Sequence, residues 1–327
     1  MTETVVPQLD MQRYLRGVLS PRELAALALA CEDHGFFLLA NHGREALVAR
    51  VFAQAANFFA QDKAAKRSVL RDATNPLGYF DRELTKQKRD QKEVFDFKAG
   101  GYISSKPAKQ TRWPDHDPAF RPVLTDFFRE FTTLSLLTME MVFVALGMLA
   151  DTVQARLRRG FGAHHSSAAR LNFYPAHDPV PADERAQVSD LGDMALHHHT
   201  DPGAITLLLQ DDHGGLQARS KRSGWVDVEP VPGTIVVNVG DVMQVWSNDR
   251  CVAGMHRVLP VHSERGRLSV PFFLQPHYDT SIVPWNVDGE APRFSEFSWR
   301  DYIRGRVTDN FADYGEEDIQ IERYRIA

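Results

Sequence analysis

ALHHHTDPGAITLLLQDDHGGLQ, residues 195–217, joins a histidine-rich segment to an apolar run and then to a polar Gly-Gly turn. The run ITLLLQ (205–210) has the length and composition of a buried strand, and similar segments flank it on both sides. Upstream lies ARLNFYP (169–175); downstream come GGLQARS (214–220), GWVDVEP (224–230), TIVVNVG (234–240), VMQVWSN (242–248) and RLSVPFFLQP (267–276). Short β-rich segments divided by turn residues, among them Gly214-Gly215 and Pro232-Gly233, predict an antiparallel sandwich or a double-stranded barrel. In this reading TIVVNVG and VMQVWSN form a strand pair.

The first part of the chain has a different texture. PRELAALALACEDHG (21–35) places apolar residues at helical spacing, GFFLLANHG (35–43) reads as a strand ending in a turn, and a helix follows in REALVARVFAQAANFFA (44–60). Residues 72–118 are polar and interrupted by Gly and Pro, which predicts an excursion over the surface or across a pocket mouth, with 77–106 as a rim or lid. From Pro122 to about Leu149 apolar residues fall on one side of a long helix that backs the sheet. Beyond Trp299 the tail is charged and reads as helical. The expected division is therefore residues 1–120 as a mixed α/β N-terminal region, and 121–327 as backing helix, β core and helical tail.

Composition narrows the function classes. With 327 residues, 43% of them apolar, the chain can bury a large core. A formal charge of −5, spread over interspersed acids and bases, disfavours nucleic-acid and membrane-surface partners. Cys31 and Cys251 are too few for a disulfide framework or a thiolate cluster and suit a reducing compartment, and no segment resembles a secretory signal or a membrane span. These features predict a soluble, cytoplasmic protein.

His199 and Asp201 are two residues apart and project from one face of an extended segment, so an imidazole and a carboxylate converge. His256, in AGMHRV (253–258), is placed to supply a third ligand. Two histidines and one carboxylate on one face of an octahedron leave three adjacent positions open, the arrangement that iron(II) oxygenases use. His197 and His198 lack an acid two residues on and read as supporting residues, whereas His262 lies in the polar loop HSERG and reads as a solvated turn. Eleven residues beyond His256, Arg267 and Ser269 share a strand face. A guanidinium beside a hydroxyl suits the far carboxylate of a dicarboxylate that chelates a metal at its other end, and 2-oxoglutarate is such a molecule.

The linked blocks HTDPGAITLLLQDDHGGLQ, GWVDVEPVPGTIVVNVGD, SNDRCVAGMHRV and RLSVPFFLQP, together with ACEDHGFFLLANHG, resemble the isopenicillin N synthase-like family of iron- and 2-oxoglutarate-dependent dioxygenases over nearly the whole length. The resemblance implies a mainly β fold, a distorted jelly roll (double-stranded β-helix) with flanking α-helices. It implies iron ligands at His199, Asp201 and His256, a carboxylate site at Arg267 and Ser269, and Asn172 and Tyr174 of NFYP beside the co-substrate. Arg170 and Phe273 match positions that line the substrate pocket in plant members, and GYFDRELTKQKRDQKEVFDF (78–97) is also plant-like. Implied partners are Fe(II), 2-oxoglutarate, dioxygen, a small-molecule substrate such as a secondary metabolite or hormone-like acid, and ascorbate in support. Hydroxylation is the expected outcome. Two alternatives stay open at this point: an oxidase of the same fold that does not use 2-oxoglutarate, and a non-catalytic jelly-roll protein holding a metal or small ligand.

Overall fold

The computed structural model describes residues 6–85, 88–101, 109–261, 263–285, 289–307 and 319–326. An eight-stranded sheet runs, edge to edge, through Gln8–Asp10, Phe36–Ala40, Ile235–Val239, Ile205–Gln210, Arg267–Leu274, Ala168–Tyr174, Glu93–Phe97 and Gly78–Phe80. All neighbours are antiparallel except the first pair. A smaller antiparallel sheet is built from Gly224–Asp227, Leu216–Ser220, His256–Val258 and Leu196–His199. Two packed β layers with flanking helices realise the expected jelly roll.

Side-chain alternation assigns each face of the large sheet a task. From Arg267–Leu274, the residues Val270, Phe272 and Leu274 enter the main apolar core. So do Leu171 of Ala168–Tyr174, Leu207 and Leu209 of Ile205–Gln210, and Val237 of Ile235–Val239. The helix Phe120–Ala145 closes this core, with Phe128 meeting Phe272 edge-on at 5.1 Å. Of that helix, Phe127, Phe128, Phe131 and Leu134 are buried, as their spacing requires. The opposite sheet face looks toward the small sheet across a second apolar cluster that includes Phe36, Leu38, Leu216 and Val258. Residues of the odd set on strand Arg267–Leu274, namely Arg267, Ser269 and Phe273, lie on this second face.

The N-terminal elements follow the sequence closely. Helix Pro21–Asp33 starts with a capping box between Ser20 and Glu23, strand Phe36–Ala40 is buried throughout, and helix Glu45–Phe59 follows. That strand is hydrogen-bonded directly to Ile235–Val239 of the β core. The turn glycines Gly214, Gly215 and Gly233 all have positive φ.

Two expectations are corrected. VMQVWSN is not a strand: Asp241–Trp246 is a short helix in which every residue is buried. A short apolar run buried on all sides has no period that separates helix from strand, and here the chain must fold back at once to leave Asp241 N donating to Asp201 O at 2.8 Å. Nor is the polar stretch after Asp72 simply an excursion. Gly78–Phe80 and Glu93–Phe97 complete the large sheet, and Phe95 and Phe97 enter the core. Residues 86–87 and 102–106 of the expected rim and 308–318 of the tail lie outside the described residues, as does His262. The tail that is described begins with helix Trp299–Val307.

Polarity misled because the charges in this stretch are buried in pairs. Glu83, 3% exposed, contacts Arg71, Lys92 and Arg170, and Asp96 contacts Arg71 and Arg170 as well. Burial opposes ionisation of Glu83, but Arg170, Lys92 and Arg71 outweigh it and hold its carboxyl well below the usual glutamate range. Replacing Glu83 with alanine leaves buried Arg71 and Arg170 to share Asp96 and Lys92 with Asp90 alone, and is expected to destabilise the fold by about 3 kcal/mol, read as a fall in the urea midpoint. Because the folded-state pKa is depressed, the wild-type contribution is complete above the ordinary carboxylate range and is lost as pH falls below it. The gap between wild type and Glu83→Ala therefore narrows toward acid pH.

No described helix is long and apolar enough to cross a membrane.

Candidate metal and co-substrate site

His199 is the last residue of strand Leu196–His199 and is paired in register with His256, the first of His256–Val258. Cross-strand pairing puts the two rings on one face, with centroids 4.3 Å apart. Each ring is oriented by its Nδ1, which lies 2.9 Å from His197 O in one case and 2.8 Å from Gly254 O in the other. A carbonyl can only accept, so both Nδ1 atoms carry the proton and both Nε2 lone pairs are left for a metal. Asp201 follows in the turn after the strand. Its Oδ2 accepts from Thr206 Oγ1 at 2.5 Å and from Asn238 Nδ2 at 2.8 Å, while Oδ1 lies 3.8 Å from His199 Nε2. Ligand atoms of His199, Asp201 and His256 all fall within 4.8 Å of one another. Burial and the neighbouring His256 push the His199 imidazole well below its usual range, so it stays neutral. Burial opposes ionisation of Asp201, but His256, His199, Asn238 and Thr206 together lower its pKa. Two imidazoles and one carboxylate supply three protein ligands, one short of a closed tetrahedral set, which suits a catalytic rather than a structural metal.

The Asp201 turn depends on a glycine outside it. A Cβ at Gly240 would sit 2.2 Å from Gly203 O and 2.9 Å from Asp201 O. Gly240→Ala is therefore expected to displace the turn and lower metal affinity at least about 10-fold, the scale seen when the partners that orient a ligand are lost, measured by equilibrium dialysis.

Arg267 and Ser269 lie on the face of the large sheet that looks toward the small one. Arg267 is 1% exposed, its guanidinium stands 5.1 Å above the Tyr174 ring, and Nη2 donates to Gln210 Oε1 at 3.3 Å. Nε and Nη1 are buried without a hydrogen-bond partner. A buried cation with two idle donors is costly to the fold and implies an anion that completes it. Ser269 Oγ accepts from Asn172 Nδ2 at 3.2 Å, and register pairs Arg267 with Tyr174 and Ser269 with Asn172. The four residues therefore form one patch. Tyr174 also belongs to the apolar cluster between the sheets, so its ring packs there as well as flooring Arg267.

Of the two residues expected against the substrate, Phe273 is half-buried on the site face beside Thr206. Arg170 shares that face, but it makes four hydrogen bonds to Glu83 and Asp96. Its charge is balanced by the protein itself, which removes the reason to assign it a substrate acid. His197 supports from the side, with Nδ1 3.0 Å from Asp90 Oδ1, and exposed His198 meets the Trp225 ring edge-on. Sequence reading overlooked Thr206 and Asn238. Asn238 carried a signal, a single amide in the otherwise apolar strand Ile235–Val239.

Comparison with known proteins agrees with this arrangement. Residues 165–276 match the profile of the 2OG-Fe(II) oxygenase superfamily, and residues 6–119 match the N-terminal profile described as non-haem dioxygenase in morphine synthesis. Gibberellin 20 oxidase 2 of Oryza sativa subsp. indica is 34% identical over 290 residues, covering 86% of this chain and 70% of that protein. Jasmonate-induced oxygenase 4 of Arabidopsis thaliana is 31% identical over 281 residues, covering 85% and 74%. Among solved structures, JOX2 in complex with 2OG, Fe and JA superposes with a TM-score of 0.76 at 25% identity, over 98% of this chain and 89% of that one. The rice dioxygenase for auxin oxidation gives 0.69 at 25% identity, over 98% and 100%. The chain therefore belongs to the 2OG-Fe(II) oxygenase superfamily and is an iron- and 2-oxoglutarate-dependent dioxygenase.

Proposed function

We propose that this dioxygenase hydroxylates an unactivated C–H bond of a small organic molecule, with His199, Asp201 and His256 holding iron(II) and Arg267 and Ser269 holding the far carboxylate of 2-oxoglutarate. The observation that carries the residue assignment is the Arg267 guanidinium, buried with Nε and Nη1 idle on the face that looks toward the His–Asp–His cluster. When bound, iron(II) with 2-oxoglutarate and dioxygen supplies an oxidant able to abstract hydrogen from such a bond, with succinate and carbon dioxide as co-products.

The protein's own residues supply position and charge. Thr206 and Asn238 immobilise one oxygen of Asp201 and leave the other for the metal, so the carboxylate does not rotate between binding modes. Arg267 gives the dicarboxylate a bidentate, charge-assisted anchor, Ser269 adds a hydroxyl, and Asn172 orients that hydroxyl. Anchoring the far end fixes the register of the keto acid at the metal end, which is the proximity contribution to the rate. Phe273, on the same strand, borders the space left for substrate. Strand Phe36–Ala40 of the N-terminal region buttresses the sheet, and Glu93–Phe97 frames the substrate side. Relatives are named for gibberellin and for auxin oxidation, and a small organic substrate fits this reading.

Anaerobic titration with iron(II) and 2-oxoglutarate tests it, since chelation produces a weak visible charge-transfer band. A saturable band followed by succinate release upon admission of oxygen supports the assignment. Bound iron without a band overturns it in favour of an oxidase that does not use 2-oxoglutarate.

A further inference from the structure

Lys98 is a cation that the chemistry above leaves without a task. It follows strand Glu93–Phe97 directly, and the alternation that sends Phe95 and Phe97 into the core puts Lys98 on the site face with Asp96. The register places it in a defined row. Phe97 pairs with Ala169, so Lys98 stands level with Ala168; Ala168 pairs with Phe273, Phe273 with Thr206, and Thr206 with Asn238. One line across the sheet thus begins at the two residues that orient Asp201 and ends at an ammonium. Three strand spacings of ~4.8 Å separate Thr206 from Lys98, about 14 Å in all. Between them stand Phe273 and Ala168, both partly accessible although they sit in the interior of an eight-stranded sheet. A small side chain there leaves room above the sheet.

The Lys98 ammonium donates to Ser166 O at 2.6 Å and to Tyr278 Oη at 3.3 Å, and it lies 5.3 Å from the Tyr278 ring centre. All these partners are neutral, and no described carboxylate pairs with it. Protein surrounds Lys98, yet part of its surface remains accessible. Burial alone lowers its pKa to about 8, with no acid to restore it. Arg71, Lys92 and Arg170, the other cations of this region, all have carboxylates within salt-bridge distance.

We propose that Lys98 is the anchor for an anionic group of the substrate, so that the molecule oxidised is a small organic acid whose carboxylate lies at the end remote from the reacting carbon. This rests on the assignment of the metal to His199, Asp201 and His256. It assigns the acid-binding role to a cation that the protein has not neutralised, in contrast to Arg170.

The test compares phenylalkanoates, from phenylacetate to 8-phenyloctanoate, with their uncharged primary amides. Binding is read anaerobically as perturbation of the charge-transfer band and of tryptophan fluorescence, and turnover as succinate release. In the wild-type protein at least one acid is expected to bind about 10-fold or more tightly than its amide, the scale of a charge-assisted contact. Lys98→Met, which keeps length and loses charge, should bring the two within about 2-fold while the affinity for 2-oxoglutarate stays unchanged; Lys98→Arg should retain the preference. Amides equal to acids throughout the wild-type series overturn the proposal without any variant, and so does a preference that survives in Lys98→Met. The band in the absence of probe reports on the metal and co-substrate assignment alone. If it is missing, that assignment fails, while the fluorescence titration of acid against amide still decides the role of Lys98.

Discussion

Replacing Arg267 with alanine raises the 2-oxoglutarate concentration needed for half-maximal charge-transfer absorbance by about 100-fold or more and leaves iron(II) affinity unchanged. Truncating one partner of a buried, hydrogen-bonded charge pair costs about 2–5 kcal/mol, and each 1.4 kcal/mol is tenfold in affinity. What makes the variant decisive is the state of the guanidinium before ligand arrives. It is 1% exposed, has Gln210 as a neutral partner, and leaves Nε and Nη1 idle. A structural ion pair loses stability when its arginine is removed. A ligand anchor held in readiness does not, so Arg267→Met should melt no lower than wild type without co-substrate and should lose the stabilisation that 2-oxoglutarate confers on the wild-type protein. Thermal melting with and without 2-oxoglutarate separates the two roles. A variant that melts much lower in both conditions points to a structural role and sinks the anchor.

The second large effect belongs to Asp201. Asp201→Ala removes the only carboxylate of the triad and leaves Thr206 Oγ1 and Asn238 Nδ2 directed at empty space. Stoichiometric iron(II) binding should disappear in equilibrium dialysis, and 2-oxoglutarate-dependent succinate release should fall by about 1,000-fold or more, as is usual when a catalytic group acting as part of a unit is lost. Asn238→Ala is the graded counterpart. It keeps all three ligands but frees one oxygen of Asp201, so metal affinity should fall about 10–100-fold with some activity recovered at high iron. Equal losses in the two variants contradict the orienting role given to Asn238.

Much of this was legible in order along the chain, but unevenly. His199 and Asp201 declared themselves because their two-residue spacing is itself a geometric statement on extended backbone, and the same holds for Arg267 with Ser269 and Asn172 with Tyr174. Helix Pro21–Asp33 was legible from its apolar spacing, and Ser20 and Glu23 fix its start with a local device that no distant contact is needed to complete. The helix Asp241–Trp246 was misread as a strand, since burial on every side erases the period that tells the two apart. The stretch around Glu83 and Asp96 was misread as surface because charge was taken to mean solvent. In the folded protein those acids meet Arg71, Lys92 and Arg170, residues up to 87 positions away.

What the sequence by itself determined was therefore the class of fold and the residues proposed as metal ligands and as co-substrate anchor, because each rests on residue types at short spacings or on linked blocks that report directly on local geometry. Which cation remains available to a substrate was decided only by the tertiary structure. Arg170 and Lys98 look equally free when read along the chain, and nothing nearby in sequence reveals that Glu83 and Asp96 neutralise Arg170 while no described carboxylate pairs with Lys98, which meets a carbonyl, a hydroxyl and an aromatic ring. Charge compensation acts through space over a few ångströms, and only the pairing of strands distant in sequence determines which charges come that close.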